Sequence, residues 1–307
     1  MKKKVILFSI VGIFVFVFAC NKKAKSEDTE TILKGKVTVL VDETFLPIIE
    51  DQVEVFQSQY DDATIDLVGK SESEIVQLLS KNKKQLAILS RELTKNEAEI
   101  FEIKKIKAKI TLLATDGIAL ISNRSNNDTL INVEDIIAFV QGKNNTKFKG
   151  LVFDNPNSST VRYFKQLAKI DKLPIDKIFS LKTNNEVIQF VSKNEGMIGV
   201  VGVNWLTQPS PEMSKIITDV KVLSVKFLKD KIFVKPSQDH IASGLYPLTR
   251  EIKMLNYQPN AGLGMGFASF VGGEIGQRII LKSGLVPVRI PSRNIIIRKE
   301  IENKNNK

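Results

Sequence analysis

Short β-branched runs alternate with stretches of helical period through most of this chain, and that alternation constrains the fold more than any other feature. VTVLV (37–41) has the pattern of a strand, and LPIIEDQVEVFQSQY (46–60) repeats its apolar residues at helical spacing. TIDLVG (64–69), SEIVQLLSK (73–81) and LAILS (86–90) continue as strand, helix and strand. The rhythm returns in KGLVF (149–153), TVRYFKQLAKI (160–170), NEVIQFVSK (185–193) and MIGVVG (197–202). Strands interleaved with helices predict an α/β protein with a largely parallel sheet. Between the halves runs ITLLATDGIALISN (110–123), apolar except where Asp116 and Gly117 break it. The expected organisation is two lobes, the chain crossing near Asp116 and returning near residues 222–228. There is no fixed-period repeat, which excludes a solenoid.

The first twenty residues follow other rules. Lys2, Lys3 and Lys4 precede fifteen uncharged residues, VILFSIVGIFVFVFA, and then Cys20. A basic start, an apolar run and a small residue before the cut predict a signal peptide over 1–19. The run is short for a membrane span, which needs about 20 apolar residues. Cys20 is the only cysteine, so no intrachain disulfide can form. VFAC resembles the lipobox of bacterial lipoproteins, which implies acylation of Cys20 as the first mature residue. The polar stretch NKKAKSEDTET (21–31) then reads as part of a lipidated, flexible tether over 20–34. The expected location is the cell envelope, lipid-anchored at Cys20 and facing the periplasm or exterior.

Losing Lys2, Lys3 and Lys4 takes the 45 basic residues to 42 against 34 acidic, about +8 for the mature chain. That balance suits attraction of anions. The lysines are scattered, as in KKIKAK (104–109), and no nucleic-acid-binding module is present, so nucleic acid is not an expected partner. One histidine, His240, and one cysteine exclude a His/Cys metal cluster. A Ser-His-Asp triad would have to use His240, and there is no nucleophile elbow. GKS (69–71) lacks the earlier glycine of a P-loop, where Thr64 stands. GLGMG (262–266) lacks a strand-turn-helix setting and suggests close packing or a loop. No enzyme, cofactor or metal is expected.

In open α/β sheets, ligands bind beyond the carboxyl ends of strands, where helix N-termini aim free N–H groups. Thr44 in VDETFLP, Ser71 in VGKSESE and the row Asn157, Ser158, Ser159, Thr160 in FDNPNSSTVRYF all occupy such junctions, with LSREL (89–93) at a fourth strand end. One side chain suffices to cap a helix. Four in a row imply that something besides the helix is held, and the shared chemistry is anion binding.

These stretches resemble the phosphate-binding proteins of ABC importers, and the resemblance covers nearly the whole mature chain. ETFLP is similar to a T-F-x-x-P-like segment of that family, NSST to its G-S-G-T, and EGMIGVVG (195–202) to its G-A-I-G-Y. YPLTREI (246–252) and GQRIILKSGLVPV (276–288) resemble its C-terminal portion. The resemblance implies a two-lobed type II periplasmic binding protein fold with a hinge between lobes. Lobe 1 would comprise residues 35–115 and 222–290, lobe 2 residues 116–221, and 291–307 a tail. It implies a monomer that captures phosphate or a related oxyanion for an ABC permease. Thr44, Phe45, Ser71, Asn157, Ser158, Ser159 and Thr160 would bind the ion, with Ser90 beside them.

This chain departs from the family in three places. NSST lacks both glycines, Ser90-Arg91 stands where the family has Ser-Asp, and Asp154 stands where it has Arg. The reversal would leave Arg91 as the cation and Asp154 as the acceptor. The alternative is an envelope lipoprotein of the same fold with a structural or partner-binding role and no anion; a hydrolase ranks third.

Overall fold

The computed structural model describes residues 30–81, 85–143 and 147–290. The expected signal segment over 1–19, Cys20 and the expected tail over 291–307 lie outside them. The first strand is β1 (Gly35–Asp42), followed by a 3-10 turn (Glu43–Phe45), α1 (Leu46–Gln59), β2 (Ala63–Lys70), α2 (Glu72–Ser80), β3 (Leu86–Leu89) and α3 (Lys95–Ile103). The long β4 (Lys109–Asn123) leads to β5 (Leu130–Asn132), α4 (Val133–Val140), β6 (Gly150–Phe153), α5 (Ser159–Ala168), β7 (Ile178–Ser180), α6 (Asn184–Lys193), β8 (Met197–Gly202) and α7 (Asn204–Thr207). Then come β9 (Val220–Val222), β10 (Ser224–Lys226), α8 (Gln238–Ala242), β11 (Thr249–Asn256), α9 (Leu263–Val271), α10 (Glu274–Lys282) and β12 (Val286–Pro287).

The main sheet runs β2-β1-β3-β11-β4-β8-β6-β7, with β9 and β12 also on β4. Within each half the crossover strands are parallel: β1 with β2 and β3, β6 with β7 and β8. β4 serves both halves. Its residues up to Gly117 pair with β11, and Ile118 to Ser122 pair with β8.

Strand alternation puts a core on each face of each half. In the first lobe Val37, Val39 and Val41 face α1, α9 and α10, while Leu40, Ala87 and Leu89 face α2 and α3. In the second, Ile118 and Leu120 join Phe153, Phe164 and Ile136, whereas Ala119 and Ile121 join Val187 and Val191. This is a helix–sheet–helix sandwich made twice.

The return crossing lies later than residues 222–228. Leu223, Val225, Val234, Ile241, Tyr246 and Leu248 all belong to the second lobe's core. These apolar residues are short-spaced and pack on α4 and β4, so the chain re-enters the first lobe only at β11. There the Ile118 N–H donates to the Leu248 carbonyl (2.8 Å), joining the two crossing strands side by side.

Candidate functional site

β1 ends at Asp42, whose Oδ1 accepts the Thr44 N–H (3.0 Å) and caps the 3-10 turn. The turn holds Thr44 and Phe45 fully buried between the lobes. From the second lobe, Asn204 Nδ2 and Trp205 Nε1 donate to the Thr44 carbonyl at 3.3 and 2.9 Å. The Thr44 hydroxyl donates to Asp154 Oδ2 (3.4 Å).

Asp154 lies just past the end of β6 and is buried. Its Oδ1 accepts the Ser158 hydroxyl (2.5 Å) and its Oδ2 accepts Asn184 Nδ2 (3.2 Å). Burial pushes its carboxyl up to about 7; the Ser158 hydrogen bond opposes this and the nearby charge of Asp42 adds to it.

The four polar residues before α5 divide the work. Asn157 is exposed, and its carbonyl accepts the Ser73 N–H and hydroxyl, both at 3.3 Å, across the lobes. Ser158 Oγ caps α5 by accepting the Val161 N–H (3.3 Å). Ser159 and Thr160 are fully buried, and their hydroxyl oxygens accept Arg250 Nη1 at 3.0 and 3.1 Å.

Arg250 is the centre of this cluster. Its Nε and Nη2 lie 3.0 and 2.9 Å from Asp116 Oδ2, and its guanidinium carbon is 4.7 Å from the Phe45 ring centroid. Burial raises the Asp116 and Asp42 carboxyls, and the charge of Arg250 pulls both back. A guanidinium fixed by one carboxylate and aimed at two hydroxyls on a helix N-terminus can hold an oxyanion.

Ser90 and Arg91 do not enter that cluster. The Ser90 hydroxyl donates to Glu72 Oε2 (3.2 Å). The Arg91 fork holds Glu97 at 2.7 and 2.9 Å, and its Nε donates to Glu72 (3.1 Å). The Glu97 hydrogen bonds raise the Arg91 guanidinium, and Arg91 in turn draws Glu97 down to about 2. Two carboxylates of its own lobe therefore occupy Arg91, and the guanidinium that faces Ser159 and Thr160 is that of Arg250. Ser71 is buried, and its N–H and hydroxyl both donate to Glu74 (3.2 and 2.8 Å) at the start of α2. His240 is set against the Lys235 carbonyl, Nδ1 to oxygen 3.0 Å.

Sequence reasoning did not bring Arg250 or Asn184 to this cluster, and used Asp116 only to mark the crossing. A signal existed. Arg250 shares the buried face of β11 with Ile252 and Met254, so it is a charge in phase with apolar residues. Asp116 is the matching charge inside the apolar β4.

A family model described as a PBP superfamily domain matches residues 26–274. The chain belongs to that superfamily. A phosphate ABC transporter substrate-binding protein from Clostridium perfringens, solved with bound phosphate, superposes with a TM-score of 0.66 at 19% identity, over 83% of this chain and 100% of that one. An ABC-type phosphate transport receptor from Vibrio cholerae gives 0.63 at 20% identity, over 82% and 100%. PstS from Borrelia burgdorferi gives 0.51 at 20%, over 84% and 100%. No curated protein matches the chain's sequence at a significant level. At these identities the likeness shows the fold, two-lobed and periplasmic-binding-protein-like. Among the described residues no helix is long and apolar enough to cross a membrane.

Proposed function

We propose that this PBP-superfamily protein is a lipid-anchored, extracytoplasmic solute-binding protein that captures phosphate or a related oxyanion for an ABC permease. One observation carries the reading: the buried Arg250 guanidinium, fixed by Asp116, faces the Ser159 and Thr160 hydroxyls at the N-terminus of α5. Thr44, Phe45 and Ser158 stand beside it, and Asp154 supplies an acceptor for a protonated ligand oxygen. The C. perfringens relative was solved with phosphate, which supports the choice of ion. No bond is made or broken in capture, so the protein is not an enzyme. Cys20 would carry the anchor; acylation is tested by mass spectrometry of the native protein, and Cys20→Ala should release it from membranes.

One observation favours the alternative, an envelope protein of this fold that binds no anion. The donors of Thr44, Ser158 and Asn184 already converge on the Asp154 carboxylate. Calorimetric titration with phosphate separates the two. Saturable binding at one site supports capture, and absence of binding leaves the structural role.

A further inference from the structure

Asp42 and Asp154 reach Thr44 from opposite lobes, one through its N–H (3.0 Å) and the other through its hydroxyl (3.4 Å). Asp42 Oδ2 is buried and meets no donor in hydrogen-bond geometry among the described residues, although the Ser159 hydroxyl lies near enough to the carboxyl to pull it down against burial. A buried carboxylate oxygen without a donor is costly, so it marks a place where a donor is wanted. The charges facing the pair are few. From β11 comes Arg250, which is itself matched by Asp116 on β4. From α2 comes Glu72, and beside Asp42 on the chain is Glu43, both adding negative potential. Once Asp116 is set against Arg250, two carboxyls remain without a cation of their own.

Resting on the oxyanion reading, we propose that the cleft takes the doubly protonated monoanion, dihydrogen phosphate, in preference to hydrogen phosphate. One hydroxyl of the anion donates to Asp42 Oδ2 and the other to Asp154, while its bare oxygens accept from Arg250 and the Ser159–Thr160 end of α5. The dianion brings a second negative charge toward two carboxylates and can supply only one donor. Ionised carboxylates accept only, so an anion oxygen without a proton meets lone pairs.

The test is calorimetric titration of the intact protein with phosphate, methylphosphonate and sulfate from about pH 6 to about pH 8.5 at fixed ionic strength. Phosphate affinity should fall about tenfold per pH unit above the ion's own second ionisation, the slope of one required proton. Methylphosphonate, whose monoanion has a single O–H, should bind at least ~10-fold more weakly, and sulfate not measurably. Asp42→Asn keeps the shape but places an N–H₂ where Oδ2 was. It should weaken phosphate and shift preference toward methylphosphonate. Phosphate binding that is flat or rises with pH overturns this inference and leaves oxyanion capture standing. Equal affinities of wild type and Asp42→Asn for both ligands overturn it as well. No phosphate binding at any pH overturns both readings.

Discussion

Arg162 of the second lobe and Glu72 of the first meet Nε to Oε1, on the same carboxylate oxygen that takes Arg91 Nε at 3.1 Å. Arg162 Nη2 also donates to Ser90 (2.7 Å), and Nη1 to Gln166 (2.7 Å). Glu72 is nearly buried at 4% side-chain exposure, while the two arginines keep about a fifth of theirs. The cluster therefore ties the lobes together apart from the Arg250–Asp116 pair.

Replacing that carboxylate should loosen the contact between the lobes. Glu72→Gln leaves two guanidinium groups facing an amide, and we expect a loss of about 2–3 kcal/mol, below the cost of a fully buried pair because the arginines touch water. Small-angle scattering without added ligand should show a larger radius of gyration for the variant than for wild type. Identical profiles would remove the latch.

How much of this was legible in the sequence varies with the kind of interaction. β1, α1, α5 and β8 were readable because their apolar residues repeat at period 2 or 3.6, a local signal. That Thr44, Ser158, Ser159 and Thr160 lie at strand-to-helix junctions was readable, because the change from period 2 to period 3.6 marks such junctions. Arg91 and Arg250 could not be told apart that way. Which one reaches the junction depends on Glu97 lying six residues beyond Arg91, and on β11 being laid against β4 from 134 residues away. The late return of the chain was hidden for the same reason, since Leu223 to Leu248 look apolar whichever lobe they cover.

GLGMG illustrates close packing. A Cβ on Gly266 would fall 1.6 Å from the Ile32 carbonyl oxygen, because the segment entering β1 crosses the face of α9. Gly266→Ala must push that backbone away, and should cost ~2–3 kcal/mol in thermal or denaturant unfolding. A wild-type midpoint in the variant would mean that the 30–34 segment moves freely.

Asp154 sets a pH dependence of stability. Its folded carboxyl titrates at about 7 against 3.8 for the ordinary group, so the native state holds a proton that the unfolded chain has released. Stability falls wherever the native state binds more protons, here as pH rises from about 4 to about 7, and levels above. Asp42 and Asp116, also raised by burial, act in the same direction. Asp154→Asn should remove part of that slope, of order 2–4 kcal/mol between the two ends. Melting temperatures across this range check it, and parallel curves for variant and wild type would assign the slope elsewhere.

Arg250 and Arg91 give opposite expectations for ligand binding. Arg250 is 6% exposed and is the guanidinium that faces Ser159 and Thr160, whereas Arg91 is held by Glu97 and Glu72. Arg250→Lys keeps the charge but cannot fork between Asp116 and two hydroxyls. We expect it to weaken phosphate at least ~10-fold, with a stability loss of about 1–3 kcal/mol from the unmet buried acceptors. Arg91→Lys should leave phosphate affinity within about twofold, because it alters a partly exposed pair that does not touch Ser159 or Thr160. Titration of the two variants under one buffer decides the matter. Should Arg91→Lys be the variant that fails to bind, the cation of the site is the one first read from LSREL, and the Arg250–Asp116 pair serves only to fasten the hinge strands.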